Sequence, residues 1–180
     1  MEREQKLIRE VQRNGSRSAA DELIGTYYDE LYIFTYRQIG SKEDAMDLTQ
    51  EIFIAVLRSI QTYDNRKAAF RTWLYRIASN KIIDARRKVR PEMMPIEDDE
   101  LTDEEDYVSN ICDKVLLGQI ERYVSALDPE IQAVFRLHLY GEKSFPEVAA
   151  IQGQPEAAVK ARYYRLLSRL RKEFCKHDET

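Results

Sequence analysis

The sequence predicts an all-α protein of two small helical domains joined by a flexible acidic linker. Three observations carry that prediction. Apolar residues recur at spacings of three and four through the long segments, as amphipathic helices require, and no convincing strand or hairpin signal appears. Serine, aspartate, glycine and proline stand where such helices start and stop. Residues 92–106 hold nine acids (Glu92, Glu97, Asp98, Asp99, Glu100, Asp103, Glu104, Glu105, Asp106) and no lysine or arginine. With Pro91 and Pro95 and little apolar periodicity, that stretch buries too little surface to offset its ordering entropy. It is read as a linker over residues 90–108, between domains at 1–89 and 109–180. Each flank is small but able to hold a helical core.

In the first domain a short helix ends at Asn14-Gly15, a helix C-terminal signal. A second is expected from Ser18 to Ile39, with Leu23, Tyr27, Leu31, Phe34 and Tyr36 among its larger apolar residues and Gly40 as its stop. Ser41-Lys42-Glu43-Asp44 resembles a capping box with aspartate in place of the usual glutamate or glutamine. Behind it Ala45, Leu48, Ile52, Ala55, Val56 and Ser59 keep helical spacing. Thr62 to Asn65 reads as a loop. A further helix runs from Phe70 to Lys88, with Phe70, Trp73, Leu74, Ile77 and Ala78 on one stripe, and Pro91 ends it.

The second domain opens with a helix from Asn110 to Ala126, apolar at Ile111, Val115, Ile120, Val124 and Leu127. Asp128-Pro129 supplies an N-cap and a first-turn proline for a helix reaching Tyr140, and Gly141 closes it. Ser144 caps a short helix to Ile151, Gly153 makes a tight turn, and Pro155 opens a last helix to Phe174.

Composition narrows the function classes. No run of the 180 residues approaches the ~18 apolar residues of a membrane span. The N-terminus (Met1 to Lys6) has no signal-peptide core, so a cytoplasmic protein without membrane insertion is expected. Cys112 and Cys175 lack partners at metal-ligand spacing and are read as ordinary thiols; no cofactor or metal is expected. The formal net charge of −4 hides a division along the chain. From Arg58 to Arg90 ten lysines and arginines face only Asp64 and Asp84, and from Gln154 to Lys176 seven face only Glu156 and Glu173. Such placement, rather than net charge, points to a polyanion as partner.

Residues Phe145 to Tyr164 carry the parts of a helix-turn-helix. Val148, Ile151 and Val159 are spaced to pack two short helices, Ala149 permits their close approach, and Gly153 can take the left-handed turn. The second helix then presents Lys160, Arg162, Tyr163 and Arg165 where a recognition helix reaches the major groove. Arg169, Arg171 and Lys172 lie further along for phosphates. One basic helix alone would be a solvated face; the full motif implies DNA binding.

In the first domain Asp44 to Phe53 puts acids on one side of an amphipathic helix, a pattern that is usually just solvated. Phe70 to Lys88 interleaves aromatics with cations, a combination suited to single-stranded DNA, though a tryptophan on an apolar face is more often core.

On these residues the chain resembles the extracytoplasmic-function (group 4) sigma factors, the minimal branch of the sigma-70 family. Asp44 to Asp64 looks like the family's region 2 helix of the form D-A-x-D-L-x-Q-E-x-F, which docks on the clamp helices of the polymerase largest subunit. The resemblance implies core-polymerase contacts at Asp47, Leu48, Gln50, Glu51 and Phe53. The stretch Phe70 to Lys88 is similar to the part that melts and reads the promoter −10 element, implying roles for Arg71, Trp73, Asn80, Asp84, Arg86 and Arg87. The loop Thr62–Ala69 corresponds to the one that captures a flipped base. Leu127 to Arg171 resembles region 4, whose helix-turn-helix reads the −35 element; Glu156, Lys160, Arg162, Tyr163, Arg165 and Arg169 are the implied contacts.

Three further partners follow from the resemblance: the polymerase flap region through the C-terminal domain, promoter DNA, and an anti-sigma protein relaying a stress or envelope signal. The acidic linker is expected along the polymerase's basic RNA-exit path. Met46 stands where an acid is common in the family, and Pro155 and Ala158 stand where serine and threonine are frequent.

Two rival classes fit less of the sequence. A dimeric helix-turn-helix regulator would not need the surface at Asp47–Phe53. An enzyme would have only His138 and His177 to draw on, with no phosphate loop or metal cluster, and His138 reads as a core or boundary residue.

Overall fold

The structure, a computed structural model, describes residues 2–89 and 114–174. The expected linker at 90–108, both cysteines and His177 lie outside the described residues. The chain divides into two compact units, Met1–Ile82 and Ile83–Thr180. Every regular element among the described residues is helical.

The first unit holds α1 (Glu2–Asn14), α2 (Arg17–Ile39), α3 (Lys42–Ser59), a 3₁₀ turn (Ile60–Thr62) and the start of α4 (Phe70–Val89). Gly15 takes φ +60°, a conformation glycine adopts without steric cost. The next helix starts earlier than expected from Ser18, because Ser16 is the residue whose hydroxyl accepts from the Ala19 N–H at 3.3 Å. Gly40, at φ +80°, ends α2 with its N–H on the Tyr36 carbonyl at 2.9 Å. Ser41 caps α3 as expected, accepting from the Asp44 N–H at 3.3 Å.

Leu31, Ala45, Ile52, Leu74, Ala78 and Ile82 are wholly buried at the centre of this unit. Thr35 and Thr49 are buried with them, each hydroxyl satisfied by the carbonyl four residues earlier (2.8 Å on Leu31, 2.7 Å on Ala45). Gln12 of α1 reaches the loop after α3, donating to the carbonyls of Ile60 (2.8 Å) and Tyr63 (3.1 Å).

The second unit holds the end of α4, then α5 (Lys114–Ser125), α6 (Pro129–Leu139), α7 (Phe145–Gln152) and α8 (Glu156–Phe174). Its core joins Ile120, Val124, Leu127, Ile131, Phe135, Leu166 and Leu170. Into it the chain also buries Arg136, only 2% exposed, whose guanidinium meets Glu121 at 3.0 Å and the Ser125 hydroxyl at 3.1 Å. The Tyr140 hydroxyl donates to the same carboxylate, and burial with that neighbouring charge holds the phenol protonated far above its ordinary range. Ser144 opens α7 by donating its N–H (2.9 Å) and hydroxyl (2.7 Å) to Glu147. Gly153, at φ +68°, makes the turn into α8.

Candidate nucleic-acid interface

The helix-turn-helix forms as its apolar pattern requires. Val148, Ile151 and Val159 are all buried, and Ala149 of α7 is 7% exposed. On α8 the exposed and half-exposed positions Ala157, Lys160, Ala161, Tyr164, Arg165 and Ser168 make one face, each three or four residues from the next along its rows. Lys160 pairs with Glu156 at 2.8 Å, and that contact raises its pKa above the ordinary lysine value. Its ammonium also sits 6.0 Å above the Phe145 ring.

Tyr163 is a correction to the sequence reading. It is 2% exposed and packs edge-on against His138 (4.7 Å between ring centres) and Phe145 (5.2 Å), so its ring faces the core. Tyr164, which the sequence reading passed over, occupies the outward face beside Lys160. The signal was present in the spacing, since 160 and 164 share a helix row whereas 159 and 163 share the buried one. His138 is a boundary residue, stacked on Phe145 at 4.6 Å with Nδ1 2.8 Å from the Lys143 carbonyl oxygen.

Arg162 stands on the flank of α8 and is 27% exposed. Its guanidinium pairs with Glu130, at the start of α6, at 2.8 Å, and also donates to the Gln154 side chain. Arg165 and Arg169 are half-buried along the same helix, and Glu156 is engaged with Lys160.

In the first unit, α4 carries a stripe of Trp73, Arg76, Ile77 and Asn80 at the spacings of a single helix face; Asp84 and Arg87, both exposed, belong to the second unit. Arg76 belongs to that stripe and was missed by the sequence reading. Trp73 is half-buried: its ring lies 5.3 Å from Tyr63 and 5.7 Å from Phe70, leaving part of the indole accessible. It is therefore neither wholly core nor a free platform.

Arg71 falls outside the stripe and pairs with Glu30 at 2.8 Å. Arg86, within the second unit, pairs with Glu121 at 2.9 Å and donates to Ser125 at 2.9 Å. The loop before α4 is fastened by the Tyr63 hydroxyl on the Ala68 carbonyl (3.0 Å) and by Asp64, which accepts from the Arg66 backbone and guanidinium. A cleft of about 480 Å³ opens between α1 and this loop, with Gln5, Arg9, Gln12, Asn65 and Arg66 in its walls.

On α3 the expected polymerase-contact residues divide. Asp47, Gln50 and Glu51 are exposed on one face, but Leu48 (8%) and Phe53 (5%) point into the helical core. The apolar groups on the outer face are instead Met46 (45% exposed) and Ile54 (49% exposed). Along α2, Tyr28, Tyr32 and Tyr36 stack in a row with ring centres 6.4 and 6.0 Å apart, and Tyr28 stacks on Phe53 at 6.1 Å. Among the described residues no cluster of histidine, cysteine, aspartate or glutamate could hold a metal ion, and no helix is long and apolar enough to cross a membrane.

Comparison with known proteins agrees with this two-part geometry. Sigma-70 region 2 matches residues 23–92, and sigma-70 region 4 matches residues 117–170. The chain is 32% identical to the ECF RNA polymerase sigma factor SigW of Bacillus subtilis over 182 residues, covering 93% of this chain and 95% of SigW. It is 34% identical to the ECF RNA polymerase sigma factor SigE of Mycolicibacterium smegmatis, covering 88% of this chain but only 62% of that relative's length. The solved structure of CnrH in complex with the cytosolic domain of CnrY shares the fold, with a TM-score of 0.61 at 22% identity over 96% of this chain and 97% of that one. The chain belongs to the ECF RNA polymerase sigma factors of the sigma-70 family, non-enzymatic proteins that direct promoter-specific initiation of transcription.

Proposed function

We propose that the functions of this sigma factor are divided between domains at 1–89 and 109–180, with residues 90–108 as the connection. In the first, the outer face of α3 docks on the clamp helices of the polymerase largest subunit through Asp47, Gln50 and Glu51, with Met46 and Ile54 supplying the apolar contact. Leu48 and Phe53 act by holding that helix in place.

The stripe on α4, with Asp84 and Arg87 further along the helix, captures the melted −10 strand. Trp73 offers a base an aromatic edge, Asn80 and Asp84 supply hydrogen-bonding groups, and Arg87 and Arg76 follow the backbone. Arg71 and Arg86 are engaged by Glu30 and Glu121 and serve the packing of α4 first. In the second domain α8 enters the major groove of the −35 element with Lys160, Tyr164 and Arg165 outward and Arg169 toward phosphate. Pro155 and Ala158 bring no hydroxyl to the start of that helix, so specificity falls on its outward side chains. This domain also meets the polymerase flap, and an anti-sigma protein controls the whole factor, which acts in the cytoplasm.

The α4 stripe is the observation that carries this reading, because a regulator binding only duplex DNA needs no aromatic and cationic face away from its helix-turn-helix. Run-off transcription with core polymerase tests it. Trp73→Ala and Asn80→Ala are expected to abolish open-complex formation while leaving core binding intact. Unchanged initiation in both variants would overturn the −10 assignment.

A further inference from the structure

The implied −35 contacts include Arg162, yet its surroundings give it a different task. It lies two residues beyond Lys160, about 200° around the helix from it, on the side of α8 that turns toward α6. Three elements converge there. Glu130, in the first turn of α6, takes one terminal nitrogen at 2.8 Å; Gln154, in the turn before α8, takes the other. Gln152, the last residue of α7, donates to the Glu130 backbone carbonyl at 2.9 Å. The guanidinium thus ties the recognition helix to the helix and turn that set its angle. Glu130 is 59% exposed, so its carboxylate stays hydrated while it holds the cation.

We propose that Arg162 is a positioning residue for −35 recognition, and that Glu130 sharpens promoter choice by withholding this cation from phosphate. The inference rests on the reading of α8 as the −35 helix. Phosphate contacts add affinity for any sequence, whereas base contacts discriminate. A cation at the edge of the recognition helix that swung onto a backbone would strengthen binding to any sequence. The helix, no longer tied to α6, would at the same time lose part of the aligned base contacts that favour the right one. Held by Glu130 and Gln154, it contributes alignment instead, and the pair presents DNA with little net charge.

The test uses the full chain assembled with core polymerase. Binding to a promoter duplex and to the same duplex with a scrambled −35 element is measured across a range of salt concentrations. Glu130→Gln, which keeps the side chain's shape, is expected to steepen the logarithmic salt dependence by about 0.9, one phosphate contact, and to raise affinity for the scrambled duplex about three- to tenfold. Discrimination between the duplexes falls accordingly.

Arg162→Gln alone is expected to reduce discrimination with the salt slope unchanged. The double variant E130Q/R162Q separates a freed cation from the mere loss of a carboxylate, because the gain on scrambled DNA should vanish in it. A gain that persists in the double variant overturns the proposal. So does a slope that flattens by about 0.9 in Arg162→Gln, which would make Arg162 a phosphate ligand. Should the unaltered protein fail to distinguish the two duplexes, the reading of α8 as the −35 helix fails; the salt slopes still decide the role of Arg162.

Discussion

The two units expose different chemistry. Among the described residues, all four large hydrophobic side chains that stand exposed (Ile33, Tyr36, Met46 and Ile54) belong to the first unit. Among its described residues the second exposes none of comparable size, and it presents a cationic helix whose Lys160 and Arg162 are each held by an acid. Open apolar groups beside carboxylates suit a protein partner, while a duplex is met by charge and hydrogen bonds. The contrast extends inward. The first unit buries threonines satisfied by their own helix, whereas the second buries an arginine that depends on a carboxylate from another helix.

That last dependence supplies the largest expected effect. Glu121→Ala leaves Arg136 charged, buried and unpaired, and should destabilise the second unit by about 3–5 kcal/mol. Hydrogen exchange resolved by residue checks it: protection should fall in α5, α6 and α8 while α2 and α3 keep theirs. Equal loss throughout would mean that the two cores do not open separately.

Ile54→Asp sharpens the surface contrast. The side chain is 49% exposed, so stability should change by no more than about 0.5 kcal/mol. Affinity for core polymerase should fall about tenfold or more, as loss of an interface anchor does. A pull-down titration against core enzyme reads it directly, and unchanged affinity would remove Ile54 from the docking face.

A smaller effect is expected at the helix starts. Ser41→Ala and Ser144→Ala each remove a cap and should cost about 1 kcal/mol, seen as a lower denaturation midpoint in each case. The smallest concerns pH. Hydrogen bonds from Arg66 hold the Asp64 carboxyl below its ordinary range. A depressed carboxylate contributes its stabilisation above its unfolded pKa and loses it as pH falls through the folded one. The midpoint of any pH-dependent shift in the Arg66 side-chain resonance should therefore fall below the ordinary aspartate value of about 3.9.

Much of the fold was legible because the signals are local. Gly15, Gly40 and Gly153 stand where the chain takes positive φ, and Ser41, Asp128 and Ser144 precede helices as expected. The start of α2 at Arg17, against an expected start near Ser18, has the same local character: the bond to Ala19 makes Ser16 the cap. The candidate interface was less legible. Its motifs located the right helices, but Leu48, Phe53 and Tyr163 were assigned to surfaces that they leave for the core.

By itself the sequence determined the helices, their order, the helix-turn-helix and the family, since caps act over three or four residues and apolar periodicity follows the helix pitch. Tertiary packing alone decided which member of a neighbouring pair is exposed. Tyr163 and Tyr164 differ by about 100° of rotation, and only the apolar surface against α8 selects the one that turns inward. Packing also decided which distant acid meets each arginine, Glu121 for Arg136 and Glu130 for Arg162. Those pairings join different helices, and no spacing rule within one helix encodes them.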